Sequence, residues 1–334
     1  MFKIIILLLA VSFNLLAKES TLALVKKRKQ IRCGVSEGLA GFSNPDSSGN
    51  WKGLDVDLCR ALSAAIFKNP DKVQYISLSA QQRFVALQSG EIDILSRNTT
   101  QTLTRDSAQG LNFSPVLYYD GQGFLVRKKD QVKSLKDLNG ATICTQQGTT
   151  TELNLADYFR MNKMKFKPVV FESDNETVMA FMKGRCDALT SDLSGLAAEK
   201  SKVKRPEDYE VLGDVISKEP LAAAVRHGDD QWYDIVKYTV FALTTAEEFG
   251  INSQNIDSFK KSSNPNIQRF LGINPGNGKA LGLDEDWAEN IVKMVGNYGE
   301  IFEKNVGMGS PLKLSRGLNA LWNKGGLHYA PPFN

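Results

Sequence analysis

The chain has 334 residues, 42% hydrophobic and 23% charged, with 41 basic against 37 acidic side chains and a formal charge of +4. That length suits two ordinary domains. The two signs of charge are interspersed, which argues against a nucleic-acid partner, and nothing beyond the first twenty residues reads as a membrane span.

Residues 1–17 read MFKIIILLLAVSFNLLA. Lys3 precedes an apolar run that fades through Ser12 and Asn14 and ends at Ala17, the layout of a cleaved secretory signal. The run is too short for an anchor, and no cysteine at the cut offers a lipid attachment. Secretion is expected. The basic run Lys26, Lys27, Arg28 and Lys29 then reads as the solvated end of a helix.

A strand over 31–35 runs into Gly34, Gly38 and Gly41 and is followed by a helix over 55–67. Residues 73–78 are β-rich. Ser79 and Gln82 have capping-box spacing, and the helix they open runs through Phe84 and Leu87 to a stop at Gly90. A strand over 92–96 leads into a polar loop, Arg97, Asn98, Thr99 and Thr100. The second half repeats the pattern. A strand over 141–145 enters Gly148 with Thr149, Thr150 and Thr151, then a helix over 152–161. Residues 168–171 are β-rich, Ser173 and Glu176 have capping-box spacing, and a helix through Val178, Phe181 and Met182 stops at Gly184. A strand over 187–191 ends before Asp192. Gly90 precedes Asp93 by three positions and Asn98 by eight; Gly184 precedes Asp187 and Asp192 by the same steps. Asn98 and Asp192 are therefore expected at equivalent places, just past the carboxyl end of a strand.

Strand, helix, strand, helix, strand at these lengths means parallel βαβ units with right-handed crossovers. Two such units predict an α/β protein with two lobes, a ligand crevice at the carboxyl ends of the strands and closure by hinge motion. The chain beyond about 218 is expected to return to the first lobe. The boundaries predicted are a signal segment at 1–17, a first lobe at 25–122 and 219–334, and a second at 123–218. Residues 250–334 read as a loop-rich tail with helices near 284–298 and 312–322.

Cys33, Cys59, Cys144 and Cys186 form an even set in an exported chain, which points to disulfides. Four cysteines permit three pairings, of which Cys33–Cys59 with Cys144–Cys186 fits the duplication. There is no CxxC motif, and the only histidines, His227 and His328, are far apart in sequence. No metal and no cofactor are expected.

The polar loops carry groups suited to a small zwitterion. Arg105 presents a planar fork for a carboxylate; Thr100, Thr149 and Thr150 offer hydroxyl or N–H donors, the last two where a glycine turn enters a helix; Asp192 and the carbonyl of Asn98 could accept from an ammonium. Each has a plainer reading: Arg105 as a surface ion pair with Asp106, Asp192 as a helix cap, Asn98 to Thr100 as a turn. Their joint placement beyond equivalent strands favours a site.

Five stretches carry a family resemblance: CGVSEGLAGFS (33–43) with GLDVDLCRAL (53–62), RFVALQSGEIDILSRNTTQTLTRD (83–106), YYDGQGFLVRK (118–128), ICTQQGTTTELNLADYF (143–159) and GRCDALTSDLSGL (184–196). The chain resembles the amino-acid-binding proteins of polar amino-acid ABC importers, with the type II periplasmic-binding (Venus-flytrap) fold, and within them the general L-amino-acid branch. The likeness extends through NVGMGSPLKLSRGLNALW (305–322). It implies that Arg105 and Thr100 hold a ligand carboxylate from the first lobe and Thr150 with Thr149 from the second, while Asp192 and the Asn98 carbonyl hold the ammonium. Sharing both groups between lobes would make the ligand favour closure. Leu39 stands where many members carry an aromatic lid, which fits broad specificity; Gln101 also replaces an expected aromatic residue. Arg83 and Arg97 lie near side-chain contacts of relatives with acidic ligands, so glutamate, aspartate and their amides are expected ligands; solvent exposure is the alternative for Arg83. Ser36 is expected to face the pocket. The resemblance further implies an importer permease as partner and a monomer.

Two other readings compete. A dehydratase on the same fold needs a general acid or base in the cleft, for which only Asp192 and Glu37 present themselves. The input module of a receptor would be followed by a membrane span and a signalling module, and neither is seen before Asn334.

Overall fold

In the computed structural model, which describes residues 19–333, the chain builds two α/β lobes, each around one sheet. The expected signal segment lies outside the described residues. Helix α1 (Thr21–Arg28) opens with Ser20 accepting from the Ala23 N–H and closes on Lys26, Lys27 and Arg28, where positive charge meets the negative helix end. Strand β1 (Ile31–Val35) leads through a small hairpin, β2 (Asn44–Pro45) and β3 (Trp51–Lys52), into α2 (Leu54–Phe67). Then come β4 (Val73–Ser77), α3 (Gln82–Ser89), β5 (Ile94–Thr100), β6 (Leu111–Phe113) and β7 (Tyr118–Asp120). The second lobe holds β8 (Gln122–Arg127), β9 (Thr142–Gln146), α4 (Thr150–Met161), β10 (Lys167–Phe171), α5 (Asp174–Met182), β11 (Ala188–Asp192), α6 (Leu193–Lys202) and β12 (Tyr209–Val211). Strand β13 (Glu219–Arg226) rejoins the first sheet, followed by the long helix α7 (Asp230–Glu248), the short α8 (Ile256–Phe259), α9 (Pro265–Phe270) and α10 (Asn277–Leu281), then α11 (Trp287–Val295) and α12 (Tyr298–Asn305).

The sheet orders are β4-β1-β5-β13-β6, with β7 on β13, and β10-β9-β11-β8-β12. β1 runs parallel to β4 and β5, and β9 parallel to β10 and β11, so the βαβ unit does occur twice. Strands covered by helices on both faces read as continuous apolar runs; in β8 all but the last residue are buried. Gly90 and Gly184 end their helices with φ of 79° and 78°, the left-handed backbone a Cβ disfavours. The chain leaves the first sheet at Gly121 and returns across residues 212–218, and the two crossings touch. A Cβ at Gly121 would stand 2.4 Å from Val215 Cγ1 and 3.0 Å from the Ser217 carbonyl, so a larger residue would have to push the second crossing aside. Beyond them, Glu219 pairs with Asp120.

Several expectations need correction. Residues 97–100 are no loop: β5 continues to Thr100 because β13 pairs with it, Leu221 opposite Thr100 and Ala222 opposite Thr99. A register shift follows between Ala222 and Ala224. Asn98 takes φ of 30° there, a left-handed conformation that asparagine tolerates better than most residues. Ser79 and Gln82 exchange capping-box bonds of 3.3 Å each, although the regular helix starts only at Gln82. Ser173 makes no side-chain cap bond; instead its carbonyl accepts from the Thr177 hydroxyl at 2.8 Å. The helix expected at 284–298 is two, split by Gly296 at φ 106° and restarted by an Asn297–Glu300 capping box. No helix spans 312–322. Gly317 sits at φ 46° between short turns, and the apolar spacing serves to bury Leu321 in a bridge to His328. Among the described residues no helix is long and apolar enough to cross a membrane.

Disulfides join Cys33 of β1 to Cys59 of α2 and Cys144 of β9 to Cys186 just before β11, one inside each lobe. Replacing either pair with serines should lower unfolding stability by about 3–4 kcal/mol, with the 42-residue bridge about 0.4 kcal/mol more effective than the 26-residue one. Urea melts of the two double variants check this; midpoints unchanged from the parent would refute it.

Candidate functional site

The carboxyl ends of β1, β5, β9 and β11 converge on a cleft between the lobes, enclosing about 860 Å³ of empty space with open solvent included. From the first lobe Ser36, Leu39, Arg83, Arg97, Asn98 and Thr100 line it; from the second, Thr149, Thr150 and Asp192. Of the ten residues singled out from the sequence, Arg105 alone is not in the lining.

Asp192 ends β11 and stands at the N-cap of α6, yet its carboxylate makes no cap bond. It is 8% exposed. Burial pushes its pKa well above the ordinary carboxylate range, and Asp120 and Glu219 push the same way against Arg83 and Arg105. A buried carboxylate without a local task is costly unless something supplies an opposing charge. Asn98 donates its backbone N–H to Asp55 Oδ2 at 2.9 Å, and its side-chain Oδ1 is buried with no partner among the described residues.

Helix α4 aims its N-terminus at the cleft. The Thr149 hydroxyl accepts from the Glu152 N–H at 3.2 Å and donates to the Gln146 carbonyl at 2.7 Å, so it is spent on the cap. What remains for a ligand are the backbone N–H groups of the first turn. Ser36 is likewise committed locally: its hydroxyl shares a 2.9 Å bond with Ser43 and accepts from the Leu39 N–H at 3.2 Å.

Three arginines are buried here. Arg83 is 3% exposed, which excludes plain solvent exposure. It donates to Thr99 Oγ1 at 3.4 Å and, across the cleft, to the Gly148 carbonyl at 3.3 Å, and it lies 4.7 Å from the centre of the Phe84 ring. Arg97 spends Nε on the Leu78 carbonyl at 2.8 Å and faces the charges of Asp174 and Glu37. Arg105 is buried beside the cleft, so it is no surface ion pair with Asp106. It donates to the Thr100 carbonyl at 2.8 Å and sits 5.2 Å from the same Phe84 ring. Burial lowers its pKa to about 10, opposed first by Glu219 and then by Asp192.

At the far end of the cleft Glu37, named above as a cleft carboxylate, and Arg97 are joined by Asp174 and Glu199, which sequence reasoning missed. Burial raises all three carboxyls. Lys202 bridges the lobes there, donating to Glu199 at 2.7 Å and to the Gly38 carbonyl at 3.1 Å. It also missed Glu219, 1% exposed. The available signal was a glutamate opening an otherwise apolar strand, EPLAAAV. Among the described residues no group of three histidine, cysteine, aspartate or glutamate side chains is arranged to hold a metal.

Residues 31–253 match the profile of the bacterial extracellular solute-binding proteins, family 3. The chain is 58% identical over 318 residues to the general L-amino acid-binding periplasmic protein of Rhizobium johnstonii, covering 95% of this chain and 93% of that one. It is 49% identical over 318 residues to the glutamate/glutamine/aspartate/asparagine-binding protein of Rhodobacter capsulatus, covering 95% and 94%. A solved ABC transporter periplasmic binding protein from Brucella ovis with glutathione bound superposes with a TM-score of 0.93 at 52% identity, covering 94% of this chain and 99% of that one.

Proposed function

Because the chain belongs to the bacterial extracellular solute-binding proteins of family 3 and has their two-lobed type II periplasmic-binding fold, we propose that it captures L-amino acids in the periplasm and delivers them to an ABC importer. The observation that carries this reading is Asp192, a buried carboxylate at a helix start that caps nothing and feels the charges of buried Arg83 and Arg105, and more weakly that of Arg97. A free α-amino acid supplies both missing partners, an ammonium for Asp192 and the unpaired Asn98 oxygen, and a carboxylate for the guanidinium side.

In this reading Arg105 and Thr100 hold the ligand carboxylate from the lobe formed by 25–122 and 219–334. The first turn of α4, at Thr149 and Thr150, holds it from the lobe formed by 123–218. Residues 1–17 direct export, an importer permease in the inner membrane is the partner, and the protein acts as a monomer without a catalytic step. Leu39 and Ser36 shape the pocket. Arg83 and Arg97 extend the ligand range to glutamate, aspartate, glutamine and asparagine, the ligands named for the Rhodobacter capsulatus relative. Arg97→Leu should then weaken L-glutamate binding about tenfold more than L-alanine binding, since only the former loses a charged hydrogen bond; equal losses for both would remove Arg97 from the side-chain subsite.

The proposal is tested by unfolding ligand-stripped protein in each amino acid. A true ligand at a hundredfold excess over its Kd stabilises the fold by about 2.7 kcal/mol. Glutathione belongs in the panel, since its glutamyl end presents the same α-amino and α-carboxyl groups. No stabilisation by any amino acid would end this reading.

A further inference from the structure

Where the chain re-enters the first lobe, one carboxylate collects donors from both lobes. Glu219 Oε2 accepts from the Thr100 hydroxyl at 2.6 Å and from the Thr150 hydroxyl at 2.8 Å. Its Oε1 accepts from Asn154 Nδ2 at 2.8 Å and from the Ser217 hydroxyl at 2.5 Å. Thr100 shares the first sheet with Glu219, whereas Thr150 and Asn154 belong to α4 of the second lobe. Four donors satisfy a buried carboxylate, but two of them leave when the lobes part. The hydroxyls of Thr100 and Thr150 thus turn toward Glu219 and that of Thr149 is spent on the cap, which leaves backbone N–H groups, not these hydroxyls, for the ligand carboxylate.

We propose that Glu219 is a positioning residue of the ligand site, an internal latch whose bonds to Thr150 and Asn154 form only when the lobes close. This rests on the amino-acid reading and deepens it. Closure driven partly by the protein's own carboxylate does not depend on the ligand side chain, which is what a site of broad specificity requires. The latch stands beside the two crossings, at Gly121 and 212–218, so a hinge rotation breaks it without disturbing either core.

The test compares Glu219→Ala, Glu219→Gln and Asn154→Ala. Binding of L-glutamine, L-glutamate and L-alanine is measured by calorimetry, and closure by small-angle scattering with and without ligand. A lost charged hydrogen bond is worth about tenfold. Glu219→Ala should therefore weaken all three ligands by the same factor, about tenfold. Glu219→Gln, which keeps an acceptor without the charge, should lie between it and the parent. Asn154→Ala should lose about threefold and add nothing in the Glu219→Ala background. The ligand-free scattering of Glu219→Ala should shift to a larger radius. Losses that differ between ligands, additive losses in the double variant, or unchanged scattering would each overturn the latch. Should Glu219→Ala fail to fold, Asn154→Ala decides alone: equal affinity and equal scattering to the parent refute it. If the parent binds none of the three ligands, the amino-acid reading fails, a result distinct from binding by a parent whose variants are unaffected.

Discussion

Asp192→Ala should weaken L-glutamine binding by roughly a hundredfold or more. The substitution leaves the ligand ammonium unpaired in a closed cleft, and an unpaired buried charge costs about 3–5 kcal/mol. Asp192 makes no cap bond in α6, so the loss should appear in affinity and not in the unfolding midpoint of the free protein. That midpoint should even rise slightly, because the variant removes a carboxylate that burial, Asp120 and Glu219 already disfavour. The same electrostatics give a pH dependence with a definite sign. In the free protein the carboxyl titrates well above its ordinary value; a bound ammonium favours the ionised form and lowers it. Binding at acid pH must then expel a proton. Affinity is full above the free-protein value and falls as pH drops from there toward the lower value in the complex, by up to about tenfold per pH unit. Asp192→Asn should flatten that profile. A variant that binds as tightly as the parent, or keeps the same acid limb, would show that the ammonium is held elsewhere.

Arg105→Ala should cost a comparable factor, also roughly a hundredfold, for every L-amino acid tested. Its guanidinium has given one amino group to the Thr100 carbonyl, which fixes the fork and leaves further donors for a carboxylate. Charge-assisted, two-pronged contacts of this kind are among the strongest available, and truncating one partner of a buried charge pair costs about 2–5 kcal/mol. Arg105→Lys should recover little, since a point charge cannot reproduce the fork. Because this reading gives Arg105 the ligand head group and Arg83 its side chain, the two variants should differ in kind. Arg105→Ala should lose all ligands alike, as a head-group contact does, and Arg83→Ala should lose acidic and amide ligands most. The reverse pattern in calorimetric titrations would exchange the two roles.

The paired βαβ units were legible because glycine stops and strand starts are local signals with fixed spacing; the expected place of Asn98 past a strand end was not, since it stands inside β5 whereas Asp192 is the last residue of β11. The cysteine pairing was legible as one of three options, and the structure has the within-half one. What local pattern could not carry was long-range pairing. Residues 97–100 read as a polar loop, and only β13, more than a hundred positions later, turns them into strand. Arg83 sits beside exposed Gln81 and Gln82, so composition could not tell that α3 turns this one side chain toward β5 and Gly148. Glu219 could be noticed as a lone acid opening an apolar run, but its role could not be read for the same reason, since its donors come from positions 100, 150, 154 and 217. Residues 312–322 misled in the opposite sense: helical apolar spacing was present, but Gly317 and the docking of Leu321 serve an irregular strap.

The most direct test is calorimetric titration of purified, ligand-stripped protein with the twenty L-amino acids, with Arg105→Ala and Asp192→Ala in parallel. The structure predicts saturable one-to-one binding of several L-amino acids, glutamate and glutamine among them, reduced roughly a hundredfold in both variants. Absence of heat with all twenty, or binding indifferent to both substitutions, would contradict the account.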